Sequence, residues 1–179
     1  MKVLDANGSG TFSDVIAGME WAITNKMQVA SMSLGANQGN ESLEAAVAAM
    51  VKAGVTLIAA AGNSGQSVGF PAAYPGAIAV AASDSKDKIA YFSSRGPEVD
   101  ILAPGVKVNS TFMGGGYSKL SGTSMACPHV SGLAALAISA KGLKTPKQVR
   151  AALTAAAVPL ANVPAEQQGA GIVDAEKLV

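Results

Sequence analysis

Two apolar segments separated by one helix-length segment constrain the fold of this chain more than any other feature. Residues 29–34 and 55–60 are each predicted to form a buried strand, and residues 42–53 place apolar side chains on one helical face before Gly54, a typical helix stop. A strand, a helix and a second strand make a βαβ unit, in which both strands are parallel. Both strands therefore end at the same edge of a sheet, where open α/β folds bind their ligands.

Further helices are predicted on both sides of this unit. Ser13 and Ser42 stand where an N-cap is expected, each before a run of apolar residues at helical spacing. Residues 124–140 form a long apolar helix whose first turn tolerates Pro128. A last helix begins at Thr145, which opens a capping box.

Additional strands complete an α/β pattern. Residues 77–82 form another apolar strand, and residues 101–108 together with the glycines at 114–116 indicate shorter pairings around a turn. No repeat or low-complexity linker interrupts the 179 residues. We therefore predict an α/β fold in which residues 1–179 form a single domain.

Charge and hydropathy exclude several classes of partner. The chain has 13 basic and 12 acidic side chains and a formal charge of +1, without a basic run, so we expect neither nucleic acid nor an anionic membrane surface as the main partner. The longest apolar stretch, residues 55–62, is far shorter than the roughly 18 residues of a membrane helix.

Single cysteine and histidine residues limit the possible sites further. Cys127 cannot form an internal disulfide, and one histidine excludes a His-rich zinc site. The acidic residues are scattered without the spacing of a Ca²⁺ loop. Residues 1–5 lack the pattern of a signal peptide, so these features indicate no compartment.

Ser124 is the first candidate for chemistry, because it follows a glycine at the start of the long apolar helix. A helix start presents unpaired amide donors and positive potential, which stabilise negative charge on a carbonyl attacked by a hydroxyl. The alternative is that Ser124 only caps the helix.

The segment around Ser124 closely resembles the catalytic-serine motif of the subtilisin-like serine proteases, or subtilases. Other segments similar to those of the family occur along essentially the whole chain, in the same order as in the family. They are residues 2–4 (KVL), 8–10 (GSG), 32–35 (MSLG), 59–63 (AAAGN), 74–75 (YP), 92–97 (FSSRGP), 103–105 (APG), 120–132 (LSGTSMACPHVSG) and 169–175 (GAGIVDA).

This resemblance implies a fold and two catalytic groups. The fold is the three-layer subtilase arrangement, with a mainly parallel central sheet and helices on both faces, lacking its N-terminal part. Ser124 would be the nucleophile, and Asn63 the side-chain donor of the oxyanion hole. Asn63 also lies in a glycine-rich turn after a predicted strand, so a purely structural turn residue is the alternative.

The resemblance also implies where a peptide substrate lies. Small residues let an extended peptide approach the backbone and leave room for a large side chain, although close packing explains small residues equally well. The implied substrate-binding residues are Gly8, Ser9, Gly10, Ser33, Leu34, Gly35, Ala60, Ala61, Gly62 and Gly69.

The sequence departs from the family where a base is needed. Subtilases use Asp, His and Ser in that order, and the motifs Asp-Ser/Thr-Gly and His-Gly-x-His are absent. His129 follows Ser124 by five residues, about 140° around a regular helix and about 7.5 Å along it, so it points away from Ser124. No lysine spacing indicates a serine–lysine pair, and Cys127 is most simply a core residue.

Three functional hypotheses follow. The first is an N-terminally truncated subtilisin-type endopeptidase, inactive or very weak alone, which needs an N-terminal complementing segment or a propeptide to act on peptide or protein substrates. The second is a non-catalytic peptide-binding module, and the third a partly folded product without function. An exposed sheet edge would favour self-association.

The resemblance has two further implications. Many subtilases are secreted, which is the localisation it implies. Related proteases often bind Ca²⁺, so it also implies a weak Ca²⁺ or Na⁺ site at the carbonyls of Ala72, Tyr74 and Ala77, and no other cofactor.

Overall fold

A six-stranded sheet, mostly parallel, forms the centre of the molecule. The computed structural model describes residues 1–178. The strands are β1 (Val29–Met32), β2 (Thr56–Ala60), β3 (Ile78–Ser83), β4 (Val99–Pro104), β7 (Ala157–Val158) and β8 (Ile172–Val173). Their order is β1-β2-β3-β4-β8-β7, and only the β7–β8 pair is antiparallel. β5 (Val108–Phe112) and β6 (Gly116–Leu120) form a separate antiparallel hairpin.

Helices cover both faces of this sheet. They are α1 (Phe12–Thr24), α2 (Glu41–Lys52), α3 (Thr123–Lys141), α4 (Pro146–Ala155), α5 (Ala165–Gln168) and α6 (Ala175–Leu178). Side chains alternate along a strand, so Leu57 packs with α1 and α2 while Ile58 packs with α3 and α4. The predicted α/β fold, with a mainly parallel sheet between two helical layers, is confirmed.

Two predicted helix starts are wrong. Thr11, and not Ser13, caps α1: its hydroxyl accepts the Asp14 amide while the Asp14 carboxylate accepts the Thr11 amide. Asn40, and not Ser42, caps α2 through the Leu43 amide. In both cases the capping residue is the last residue before the helix and has an extended backbone, which is the conformation that an N-cap residue adopts.

The predicted strands are mostly confirmed, with two differences. β1 ends at Met32, so residues 33–35 leave the sheet as an unpaired segment. Residues 101–108, predicted to form short pairings around a turn, belong to two different elements. Residues 101–104 are part of the largely buried β4, and Val108 begins the exposed hairpin. None of the helices within residues 1–178 is long and apolar enough to cross a membrane.

Candidate active site

The first turn of α3 meets the carboxyl ends of β1 and β2, and this junction brings Ser124 and Asn63 together. Ser124 is the second residue of α3, and Ser33 follows β1 directly. The Ser33 hydroxyl donates to the Ser124 carbonyl at 2.8 Å, and the Ser124 hydroxyl donates to the Ser33 carbonyl at 3.4 Å. These contacts fix the start of α3 against the end of β1.

Ser124 does not cap α3. The N-cap is Gly122, which provides no side-chain acceptor. Instead, the Asn63 Oδ1 atom accepts the Thr123 amide at 2.8 Å and the Thr123 hydroxyl at 3.0 Å. The capping alternative for Ser124 therefore fails, and Asn63 acts as a cap from outside the helix.

This arrangement determines the direction of the Asn63 carboxamide. Because Oδ1 is bound by two donors, the Nδ2 group is left facing away from Thr123. A Cβ atom built on Gly122 would lie 3.4 Å from Asn63 Nδ2 and 3.6 Å from the Ser124 amide nitrogen. Asn63 Nδ2 and the Ser124 amide nitrogen therefore both lie next to the same small space at Gly122, although Asn63 Oδ1 is also 3.6 Å from it. Two convergent N–H donors are what an oxyanion hole requires.

Thr123 is a site residue that the sequence analysis missed. Its hydroxyl donates to Asn63 Oδ1 and accepts the Gly62 amide at 3.1 Å, so it ties the turn after β2 to α3. Gly62 has a φ of +113° there, a conformation that glycine adopts without strain. The only signal in the sequence is a second hydroxyl residue directly before Ser124.

A cleft of about 220 Å³ opens beside these donors. Seven of the residues implied to bind substrate or anion border it together with Ser124: Ser33, Leu34, Gly35, Ala60, Gly62, Asn63 and Gly69. Ala61 does not border it, because this residue is fully buried, with its amide bound to Val80 and its carbonyl to Gly69.

A second groove, of about 590 Å³, runs between the two segments implied to flank a substrate. Gly8, Ser9 and Gly10 line one side, and residues 33–35 line the other. Its floor is apolar and includes Val15 and Leu43. The Asp5 carboxylate holds the first segment by accepting the Asn7 and Ser9 amides, and hydrogen bonds from the Ser9 and Asn7 backbone lower the pKa of Asp5.

The other titratable residues near Ser124 have different partners. The His129 Nδ1 atom is 2.8 Å from the Met125 carbonyl, one turn back along α3, and the ring is exposed. Cys127 is fully buried, with its Sγ atom 3.7 Å from the Ser31 hydroxyl, and burial raises the pKa of the Cys127 thiol. Neither residue forms a hydrogen bond with the Ser124 hydroxyl.

Two of the three carbonyls implied to bind a cation already have donors. Ala77 accepts the Arg150 guanidinium at 2.6 Å, and Tyr74 accepts the Ala77 amide at 3.2 Å. Arg150 also forms an ion pair with Asp100, which the sequence analysis missed. Residues 1–178 contain no cluster of three His, Cys, Asp or Glu side chains that could hold a metal ion.

Comparison with known proteins places this chain in a family. The subtilase family model matches residues 1–171. The thermostable alkaline protease of Halalkalibacterium halodurans is 52% identical over 151 residues, covering 84% of this chain and 42% of that protein. Subtilisin E of Bacillus subtilis is 48% identical over 167 residues, covering 90% of this chain and 44% of that protein. The chain thus spans less than half the length of these two relatives.

Solved structures give the same result at the level of the fold. The prenylagaramide maturation protease PagA superposes with a TM-score of 0.88 at 32% identity, covering 97% of this chain and 68% of that one. The protease domain of PatA superposes with a TM-score of 0.87 at 32% identity, covering 98% of this chain and 67% of that one. From its sequence and its fold, the chain belongs to the subtilase family, the subtilisin-like serine proteases.

Proposed function

We propose that this chain carries the nucleophile and the oxyanion-binding half of a subtilisin-type serine endopeptidase, which hydrolyses peptide bonds through an acyl-enzyme on Ser124. The observation that carries the proposal is the Asn63 carboxamide, whose Oδ1 atom is held by Thr123 so that Nδ2 and the Ser124 amide border the same space. This geometry supports acyl transfer better than it supports a structural turn.

In the proposed reaction, the Ser124 Oγ atom attacks the carbonyl carbon of the scissile peptide bond. The hydroxyl proton passes to a base, and the carbonyl oxygen becomes an anion between Asn63 Nδ2 and the Ser124 amide. The C–N bond then breaks, the amine leaves with that proton, and water hydrolyses the acyl ester to regenerate Ser124. An extended substrate would lie between residues 8–10 and residues 33–35.

The base in this proposal comes from outside this sequence. The one histidine, His129, is bound to the Met125 carbonyl, and the Ser124 hydroxyl donates to the Ser33 carbonyl instead of to a base. We propose that an N-terminal subtilase segment, carrying the family's Asp and His motifs, completes the site. The chain alone would be inactive or very weak.

Complementation tests this function. The chain is mixed with a separately produced subtilase segment that contains both motifs, and hydrolysis of a fluorogenic peptide and labelling by a fluorophosphonate are measured. We expect hydrolysis and stoichiometric labelling only in the mixture. Ser124→Ala should abolish both, whereas Ser139→Ala, on the exposed far end of α3, should change neither. A mixture no more active than its separate parts would contradict the proposal.

A peptide-binding module without catalysis is the second candidate. The groove between residues 8–10 and residues 33–35 favours it, because this groove is present without any base next to Ser124. In that case, a labelled extended peptide would bind the chain alone with the same affinity before and after Ser124→Ala, and the fluorophosphonate would label neither the chain nor the mixture.

A further inference from the structure

Two serine hydroxyls, those of Ser31 and Ser131, join β1 to α3. The Ser131 Oγ atom donates to the Ser31 Oγ atom at 2.8 Å, and it lies 3.0 Å from the Cys127 carbonyl. The Ser31 hydroxyl has one proton of its own, and its other contact within residues 1–178 is the Cys127 Sγ atom at 3.7 Å. Because sulfur is a weak acceptor, the Ser31 proton is available to a stronger one.

The side chains of β1 that face α3 change from apolar to polar toward Ser124. Val29 packs in the core on the α3 side of the sheet. Side chains alternate along a strand, so Ser31 follows Val29 on the same face, and Ser33 comes next. Both serines are exposed and hydrogen-bonded to α3 residues. Packing against α3 does not require a hydroxyl at either position.

The Ser124 hydroxyl is directed toward the same end of β1. It donates to the Ser33 carbonyl at 3.4 Å, whereas Asn63 Nδ2 and the Ser124 amide lie beside Gly122. A base that takes the Ser124 proton therefore approaches from the side of β1. Residues 31–33 border an open depression there, and within the described residues β1 pairs only with β2.

The position of Ser31 matches the length of a row formed by a serine, a base and an acid. Two residues along a strand span about 6.6 Å, so Ser31 lies about that far along β1 from Ser33. In such a row the carboxylate is about 7 Å from the serine hydroxyl, which is the width of an imidazole ring and two hydrogen bonds. A carboxylate that holds a base against Ser124 along β1 therefore comes next to Ser31.

We propose, and this rests on the function proposed above, that Ser31 is a positioning residue for the incoming acid. Its hydroxyl, oriented by Ser131, donates a hydrogen bond to the Asp-motif carboxylate of the complementing segment. That carboxylate in turn holds the segment's His in line with Ser124 and stabilises its protonated form.

The electrostatics of Cys127 agree with this role. Burial raises the pKa of the Cys127 thiol, and hydrogen bonds from the neighbouring serine hydroxyls, that of Ser31 among them, oppose the rise. These hydroxyls therefore act as donors toward negative charge at this point of the junction between β1 and α3.

Steady-state kinetics of the complemented mixture test the inference. The parent, Ser31→Ala, Ser31→Thr and Ser110→Ala are each mixed with a saturating subtilase segment that carries both motifs. Rates are expressed per active site, counted with a fluorophosphonate taken to completion. Ser110 is an exposed strand serine of the hairpin, so its variant is the matched control.

We expect Ser31→Ala to lower kcat about 10-fold or more, with KM within about 2-fold of the parent value, because a hydrogen bond to a charged group is lost and substrate binding is not. Ser31→Thr keeps the hydroxyl and should retain most of the parent kcat. Ser110→Ala should equal the parent.

A second segment, with Asp→Ala in its Asp-Ser/Thr-Gly motif, separates positioning from packing. Once the carboxylate is absent, Ser31→Ala should not slow fluorophosphonate labelling any further. An active parent mixture that Ser31→Ala leaves unchanged would overturn this inference alone, and so would an equal loss with either segment. A parent mixture without hydrolysis would overturn the proposed function and this inference with it.

Discussion

Thr123 is the residue on which the direction of the Asn63 carboxamide depends. Its hydroxyl donates to Asn63 Oδ1 at 3.0 Å and accepts the Gly62 amide at 3.1 Å, and Thr123→Val removes both bonds while keeping the side-chain shape. We expect the variant to lose at least about 2- to 10-fold in kcat/KM of the complemented protease, since each neutral hydrogen bond contributes about 0.5–1.5 kcal/mol. Thr123→Ser, which keeps the hydroxyl, should retain the parent rate, and a Thr123→Val rate equal to the parent's would show that Oδ1 is held by the backbone alone.

Asn63 should matter more than Thr123, because in the proposed reaction it provides one of the two oxyanion donors itself. Removing one oxyanion-hole donor costs about 10²- to 10³-fold in kcat, a value that belongs to subtilisin, a relative in the same family. We expect Asn63→Ala to show a loss of that order in kcat with KM nearly unchanged, measured by steady-state hydrolysis in the complemented mixture. A loss confined to KM would mean that Asn63 binds substrate and not the transition state.

Cys127 is predicted to be an unreactive thiol. Burial raises the pKa of the Cys127 thiol, which disfavours the reactive thiolate relative to an ordinary cysteine, and the side chain is fully buried. Alkylation by iodoacetamide at pH 8 should therefore be at least about 100-fold slower in the native chain than in the chain unfolded in guanidinium. The fraction labelled with time is measured by mass spectrometry, and rapid native labelling would contradict the burial of Cys127 between α3 and the sheet.

At the scale of elements, the capping box of α4 was predictable from the sequence and should stabilise the helix measurably. The Thr145 hydroxyl accepts the Gln148 amide, and the Gln148 side chain accepts the Thr145 amide. Losing such a cap costs about 1 kcal/mol, which corresponds to a fall in Tm of about 2–4 °C for a chain of this size. Thr145→Ala should show this fall by calorimetry, Thr145→Ser should not, and equal Tm values would contradict a role for the cap.

Local sequence patterns predict which helices and strands are present better than they predict the residues at which those elements begin and end. The three-residue spacing from Thr145 to Gln148 identifies a helix start, and the same spacing from Thr11 to Asp14 marks the true start of α1, where apolar periodicity alone favours Ser13. The two-residue strands β7 and β8 carry no periodicity, since they are strands only through their pairing with each other and with β4. Such elements are defined by tertiary contact and are not visible in a local pattern.

In the candidate site too, features that follow from local sequence were predictable, whereas contacts between residues far apart in the sequence were not. Because parallel strands end at one edge of the sheet, the sequence predicted that the residues after β1 and β2 lie together at a ligand-binding edge, and the family resemblance implied that Ser124 joins them. Ser33, Asn63 and Ser124 all border the cleft. The ion pair of Arg150 joins residues 50 positions apart, and nothing in either local segment indicates it.

At the scale of the whole molecule, the two edge strands of the sheet, β1 and β7, differ in length and in pairing. β7 is short and antiparallel, whereas β1 is a parallel strand at the other edge, paired on one side only within the described residues. Beside β1 lies a depression of about 640 Å³ lined in part by Trp21 and Met27, which are 44% and 39% exposed. An open strand edge next to exposed apolar side chains favours pairing with another strand.

We therefore expect the chain alone to associate through the β1 edge. In sedimentation velocity, the weight-average coefficient of the parent should rise with concentration, and Met27→Lys should reduce that rise, because a charge beside an edge strand opposes strand pairing. Met113→Lys makes the same substitution at a side chain that is 88% exposed at the hairpin tip, and it should associate like the parent. A parent that stays monomeric at all concentrations would exclude association. Equal reduction by both variants would mean that charge in general, and not the β1 edge, controls it.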